Sequence, residues 1–86
     1  MTKESLLKQA KLWGFKCEFD SYGKSIILPQ NPQERWKLRI DNEERWLLVV
    51  GNVPQMFCTS LEVKFFLERR YNRLTLKIKA QNIINY

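Results

Sequence analysis

The residues of this chain best suited to chemistry are basic, and they are concentrated between positions 69 and 79. This segment has no acidic residue and contains five of the fifteen Lys and Arg residues, namely Arg69, Arg70, Arg73, Lys77 and Lys79. From Arg73 to Ala80, polar or basic residues alternate with aliphatic ones. A period of two is typical of a β-strand, so the pattern predicts a strand over 73–79 with one aliphatic face and one basic face.

A row of cations on such a strand would suit an anionic partner. Residues on one strand face lie about 6.6 Å apart, close to the scale of phosphate spacing along a nucleic-acid strand. We therefore expect the basic segment, together with Tyr71, to contact a nucleic acid or the acidic surface of a protein. Lys37 and Arg39 are predicted to share a face with Trp46, whose indole would then be available for stacking on a base.

Each of these features also has a purely structural interpretation. Lysines on a terminal strand protect against edge-to-edge aggregation. Arg69 and Arg70 at the end of a helix complement the helix dipole. Trp46 lies beside Leu48 and Val50 in its strand, a setting in which a tryptophan is more often a core residue than a stacking platform. The sequence leaves both interpretations open.

The chain offers little for catalysis, cofactor binding or metal binding. It has no histidine, the commonest general base and a frequent metal ligand. Its three glycines stand alone at 14, 23 and 51, so there is no glycine-rich phosphate loop. Glu43 and Glu44 are adjacent in a predicted turn, where we expect solvated carboxylates. These observations indicate a non-enzymatic protein with no cofactor and no metal.

Length and composition indicate a single compact α+β domain over 1–80, with 81–86 as a C-terminal tail. The net charge is +6, and residues 59–86 contain six basic and two acidic residues. No apolar run approaches the about 20 residues of a membrane span, and no signal peptide is recognisable at the start, so we expect no membrane contact. Cys17 and Cys58 have no metal or redox spacing, which favours reduced cysteines in a cytoplasmic protein, with a disulfide between them as the alternative.

The first half of the chain predicts one helix and two hairpins. Thr2 is a candidate cap for a helix over 3–13 that docks through Leu6, Ala10 and Trp13, and Gly14 is a candidate left-handed stop. If residues 22–23 form a two-residue loop, Phe19 lies opposite Ile26 and Cys17 opposite Leu28. A turn at 42–43 would place Ile40 opposite Arg45, Leu38 opposite Leu47 and Trp36 opposite Val49. Strand 45–50 is apolar on both faces and is therefore predicted to be central.

The second half predicts a helix and then the basic strand. Thr59-Ser60-Leu61-Glu62 matches a capping box, which would start a helix that ends at Tyr71 before Asn72. Alternation over 61–67 keeps a strand open as the alternative. Met56-Phe57, in a predicted loop, would be either a staple over the helix start or an exposed anchor for a partner. The predicted fold is an antiparallel sheet of four to five strands with two helices, in the order α-β-β-β-β-α-β.

These expectations lead to two hypotheses of function. The first is a small binding module whose basic C-terminal surface contacts an acidic protein or a nucleic acid. The second is a protein-interaction or assembly subunit that uses exposed aromatic residues or a free sheet edge.

Overall fold

Helix α1 (Lys3–Leu12) forms where the sequence places an N-cap and a glycine stop. The computed structural model describes residues 1–42 and 44–84, with side chains as far as Arg73. Thr2 Oγ1 accepts a hydrogen bond from the Ser5 N–H at 3.1 Å, and Gly14 has a φ of +87°, which favours glycine. Leu6 and Ala10 are fully buried. The predicted cap, docking face and stop of the first helix are confirmed.

Five strands and a second helix follow α1. Their bounds are β1 (Lys16–Phe19), β2 (Ser25–Leu28), β3 (Trp36–Asn42), β4 (Arg45–Val50), β5 (Val53–Thr59) and α2 (Ser60–Ile84). Each strand pairs antiparallel with its neighbours in sequence, so the sheet order is β1-β2-β3-β4-β5. The chain is a small α+β domain, as predicted. Its element order is α-β-β-β-β-β-α, however, so the predicted order was wrong in its last part.

The first hairpin is shifted by one residue from its predicted register. Cys17 lies opposite Ile27 and Phe19 opposite Ser25, because the connection is not a two-residue loop. Asp20 closes a longer one: its Oδ1 accepts hydrogen bonds from the N–H groups of Tyr22 and Lys24 at 2.8 and 2.9 Å. The extra loop residues displace the return strand by one position.

The second hairpin is also shifted by one residue from its predicted register, but in the opposite direction. Leu38 lies opposite Leu48 and Ile40 opposite Trp46, and the register changes between Ile40 and Asn42. The irregularity adds one residue beside the turn and moves Trp46 to the other sheet face. Strand β4 is an interior strand, paired with β3 and β5 on its two sides, although the middle strand of the sheet is β3.

Strand β5 was not predicted, although the turn that produces it has a clear sequence signal. Gly51 and Asn52 have φ values of 57° and 65°, and Val50 lies opposite Val53. Two consecutive residues with positive φ between paired strands are typical of a tight type I′ hairpin. Pro54 has no N–H to donate, but β5 tolerates it because the strand lies at the sheet edge.

Helix α2 begins at the predicted capping box. Glu62 N–H donates to Thr59 Oγ1 at 3.1 Å, and Thr59 N–H donates to Glu62 Oε1 at 3.0 Å. The alternative of a strand over 61–67 is therefore wrong. The predicted strand over 73–79 is also wrong, because α2 continues without a break to Ile84. No glycine or proline follows Pro54 in the sequence, so no residue in this stretch forces the helix to end.

Both helices pack on the same face of the sheet. Among the described side chains, the core between the helices and the sheet contains ten buried residues: Leu6, Ala10, Phe15, Ile27, Trp36, Leu38, Ile40, Trp46, Val63 and Leu67. Helix α1 packs against β1 and α2, whereas α2 packs against β4 and β5. We call this side the covered face. The uncovered face is the opposite side, on which no helix packs within the described part of the chain.

Candidate functional site

The basic residues predicted to form a strand lie on helix α2 instead. Arg69 and Arg73 are exposed, four positions apart, and neither forms an ion pair with a described residue. Lys77 and Lys79 belong to the same helix, but their side chains lie outside the described residues. The alternation that indicated a strand therefore creates no basic strand face. Whether these residues bind a partner stays a prediction.

Arg70 packs into an aromatic cluster. Its guanidinium carbon lies 3.8 Å from the centroid of the Phe66 ring and 5.4 Å from that of Trp36. Burial lowers the pKa of Arg70, as do Arg69 and Arg73 to a lesser extent, while Glu34 opposes the change. Cation–π contacts of this kind stabilise the helix–sheet contact, so the main observed role of Arg70 is structural.

Tyr71 stacks on α1. Its ring lies 5.5 Å from the ring of Trp13 at an interplanar angle of 20°. This contact joins the end of α1 to the middle of α2 and leaves Tyr71 partly exposed. Trp13 thus docks α1 as predicted, but against a residue that the sequence had indicated as part of a binding surface.

Lys37 and Arg39 lie on the uncovered face, where Arg39 already has a partner. Its Nε is 2.6 Å from Asp20 Oδ2, and its guanidinium lies 5.7 Å from the Tyr22 ring centroid. Trp46 does not share this face, contrary to the predicted register. It is fully buried on the covered face, and its Nε1 donates to Ser60 Oγ at 3.4 Å. The core interpretation of Trp46 is confirmed.

The structure therefore distributes the predicted basic residues over several surfaces. Arg70 packs on Trp36 on the covered face, Lys37 and Arg39 lie on the opposite face, and Arg69 and Arg73 project from α2. Among the described residues they do not form one continuous patch. A continuous patch was the arrangement that would have favoured nucleic-acid binding.

The exposed apolar residues show a different pattern, which is clearest in two rows that cross the sheet. The covered row contains Cys17, Ile27, Leu38, Leu48 and Met56, one from each strand. The uncovered row contains Glu18, Ile26, Arg39, Leu47 and Phe57. Ile27 and Leu38 are buried in the centre of the covered row, but Met56 is 51% exposed at its β5 end.

The two sheet edges end these rows in opposite ways. At β1, Cys17 is covered by α1, with its Sγ 3.8 Å from the Leu7 carbonyl oxygen, and Glu18 is charged. At β5 the rows end in Met56 and Phe57, each 51% exposed. Strand β5 has seven residues and no charged side chain. Short edge strands and charges prevent strand pairing with other chains, and only β1 has them.

Phe57 is held in position by its neighbours. The guanidinium of Arg45 lies 4.3 Å from the Phe57 ring centroid, and Arg45 Nε donates to Asp41 Oδ2 at 2.8 Å. The ion pair compensates the charge of Arg45, and the cation–π contact orients the aromatic ring on the uncovered face. The Phe57 ring therefore has a defined orientation at the sheet edge.

The two cysteines are free thiols on strands at opposite edges of the sheet. Burial raises the pKa of Cys17, and Lys11 opposes this in part. Burial and the nearby charge of Glu62 raise the pKa of Cys58. A disulfide within one chain is excluded by this separation, because it would need Cα atoms closer than about 7 Å.

Met56 and Phe57 were singled out in the sequence, but as loop residues. They lie in β5 instead, so the staple interpretation was wrong and the side chains are exposed. What sequence reasoning missed is the edge itself. The signal was present as Gly51-Asn52, a pair suited to a two-residue hairpin, followed by a run without charge.

Comparison with known proteins finds no matching family model, no matching curated protein and no matching solved structure. Within residues 1–42 and 44–84, no three side chains of metal-binding type come together. The helices of this part of the chain include none with the length and apolar character needed to cross a membrane.

Proposed function

We propose that this chain is a small, non-enzymatic interaction module that takes up an extended segment of a protein partner at the β5 edge. The main observation behind the proposal is the contrast between the two edge strands. Strand β5 is long, uncharged and exposed, whereas β1 is short and contains two charged residues. A strand added beside β5 would receive main-chain hydrogen bonds from the edge. Met56 and Phe57 would contact its side chains on the two faces.

Two further features define which part of this edge is available to a partner strand. The irregular part of β5 is confined to its start: Leu48 pairs with Met56 but Val49 with Pro54, so Gln55 is an extra residue. Bulges and prolines discourage pairing, which leaves the segment from Met56 to Thr59 as the regular part. Thr59 also caps α2, so the outer strand is held firmly at its end.

The proposal is tested by selecting extended peptides from a displayed library against the immobilised chain. Selected peptides are expected to bind wild type at 1 M NaCl as well as at low salt, because main-chain hydrogen bonds and apolar contacts are little screened. Phe57→Lys should abolish binding by placing a charge at the edge. Phe19→Lys, the same change at the exposed end of β1, is the matched control and should bind normally.

The opposite result would overturn the proposal. Peptides that bind Phe57→Lys as well as they bind wild type would place the binding surface elsewhere. Loss of binding in both Phe57→Lys and Phe19→Lys would indicate a general effect of added charge.

A second candidate function keeps the anionic partner, a nucleic acid or an acidic protein surface. Its support is the pair Arg69 and Arg73, exposed and without a described ionic partner on one side of α2. A fluorescent single-stranded oligonucleotide tests it. Binding should weaken steeply between 50 and 200 mM salt and be lost in Arg69→Glu/Arg73→Glu, while Lys8→Glu on α1 should bind as wild type. Salt-independent binding would contradict this candidate.

The proposal assigns the chain to a reducing, cytoplasmic compartment. Two half-buried free thiols that cannot pair with each other are compatible with such an environment. It involves no cofactor, no metal and no membrane partner.

A further inference from the structure

We infer that the segment received at the β5 edge is β5 of a second copy, so that two chains form a symmetric dimer with one continuous ten-stranded sheet. This inference rests on the proposed function, since it names the partner of the same edge. The pairing would be antiparallel about a two-fold axis perpendicular to the sheet. Such an axis reverses the strand direction and keeps the covered faces of both copies on the same side.

Charge favours a second copy at this edge over self-association at any other. The chain has a net charge of +6, so most self-complementary contacts would bring like charges together. Strand β5 has no charged residue. The nearest cation on its uncovered face, Arg45, is already paired with Asp41 and stacked on Phe57. The two β5 strands can therefore approach each other without unpaired charges on the strands themselves.

The side chains select one register. A pairing centred on Phe57 places the two Phe57 rings opposite each other on the uncovered face, with Met56 opposite Cys58 of the second copy on the covered face. Gln55 then faces Thr59. The central pairs of this register, from Met56 to Cys58, lie in the regular part of β5, and only its outermost pair reaches the irregular residue Gln55. Pro54 stays outside the shared ladder, where its missing N–H costs no hydrogen bond.

The pairing also continues both rows of side chains that end abruptly in the monomer. The uncovered row would pass from Leu47 through Phe57 into the second copy, where aromatic pairs on opposed strands stabilise a sheet. Met56, half-exposed in one chain, would gain an apolar neighbour. Because α2 packs against β4 and β5, the two α2 helices become neighbours on the covered face and enlarge the contact.

The decisive experiment changes Phe57, which in this register lies opposite Phe57 of the second copy. Sedimentation equilibrium of the full wild-type chain should give twice the monomer mass of 10.4 kDa. Phe57→Lys alone and Phe57→Glu alone should each be monomeric, because each places two like charges across the axis. Mixing the two variants should restore a dimer that contains one of each. This rescue shows that the single variants are folded and that residue 57 faces its own copy.

Two further experiments test which edge of the sheet forms the dimer and in which register the two β5 strands pair. Phe19→Lys and Phe19→Glu, the same changes at β1, should leave the dimer intact. Met56→Cys should form two disulfides per dimer with Cys58 of the second copy under mild oxidation, whereas wild type should form none. A wild-type disulfide through Cys58 would show a register centred on Cys58 and overturn the one inferred here.

A monomeric wild-type chain at high concentration would overturn the inference. If such a monomer still captures library peptides in a manner that depends on Phe57, the dimer is wrong and the proposed function stands. If it neither dimerises nor captures peptides, both are wrong. A mixture of Phe57→Lys and Phe57→Glu that stays monomeric, although wild type is dimeric, would show that the dimer uses a different surface.

Discussion

Strands β1 and β5 are the two edges of one sheet, and they differ in how much of each is protected: β5 has a proline and an irregularity only at its start. Strand β1 has four residues, two of them charged, and α1 covers its inward side chain Cys17. Strand β5 has seven residues, none charged, and its inward side chain Met56 is half-exposed. Natural sheets protect edges that must stay free. This difference is the basis of our proposal that β1 ends the sheet, whereas β5 accepts a further strand.

The largest effect should come from removing the side chain that anchors β5. Trp46 lies opposite Cys58, is fully buried and donates to Ser60, so it joins the β5 edge to the start of α2. Trp46→Ala should lower the free energy of unfolding by about 3–5 kcal/mol, measured by urea denaturation. A decrease of less than about 1 kcal/mol in the free energy of unfolding would show that Trp46 does not contribute to the core.

Removing the Thr59 side chain, which lies at the end of β5 and caps α2, should lower the free energy of unfolding by less than the change at Trp46. Thr59→Ala removes the side-chain acceptor of the Glu62 N–H and should cost about 1 kcal/mol. Thr2→Ala, which removes the equivalent cap of α1, is the matched comparison at the other end of the chain. If β5 and α2 are joined as described, only Thr59→Ala should also loosen the β5 edge, seen as faster amide exchange at residues 56–58.

On the β1 side, replacing the loop residue Asp20 should lower the free energy of unfolding by a smaller amount, and this amount should depend on pH. Burial alone would raise the pKa of Asp20, but the Lys24 and Tyr22 N–H groups and the Arg39 guanidinium outweigh it and lower the pKa. A lowered pKa in the folded state means stability that is present above the unfolded pKa and lost as the pH falls through the folded value.

Asp20→Ala should therefore be less stable than wild type at neutral pH, and the two chains should converge as the pH falls below about 3.9, the ordinary Asp value. Thermal unfolding at a series of pH values measures this. Glu18→Ala, an exposed carboxylate one strand position away from the loop, is the control and should show no comparable convergence. A constant difference across the pH range would mean that the Asp20 charge contributes nothing.

The smallest effect concerns reactivity rather than stability. Both thiols have raised pKa values, so alkylation by iodoacetamide at pH 7.5 should be slower than for an unfolded Cys peptide and should accelerate as the pH rises. Glu62→Gln keeps the capping acceptor but removes the charge that raises the pKa of Cys58. It should accelerate alkylation of Cys58 and leave Cys17 unchanged, measured by mass spectrometry on dilute protein.

The sequence predicted the local elements better than their arrangement. Thr2, Gly14 and the Thr59–Glu62 capping box each act through groups within four residues, so their geometry follows from the sequence alone. Both hairpin registers were wrong by one residue. The Asp20 loop and the irregularity after Ile40 depend on backbone turns whose length the side-chain pattern does not specify.

The basic segment shows why periodicity can mislead. Leu74, Leu76 and Ile78 alternate as in a strand, but a helix started by a strong cap continues through residues that contain no glycine or proline. The candidate site was predictable only in part. The sequence offered exposure of Met56 and Phe57 as one of two alternatives. The contrast between the two edges could not be predicted, because it depends on the strand order, which results from long-range packing.

Thr59 is both the last residue of β5 and the cap of α2, so no loop separates the strand from the helix. Any force applied along the outer strand is consequently transmitted directly to the first turn of α2 and to Ser60, which accepts from the buried Trp46. A partner that pulls on this strand would act on the hydrophobic core without an elastic linker between them. Displacing the edge strand would therefore also disturb the contact between Ser60 and Trp46 in the core.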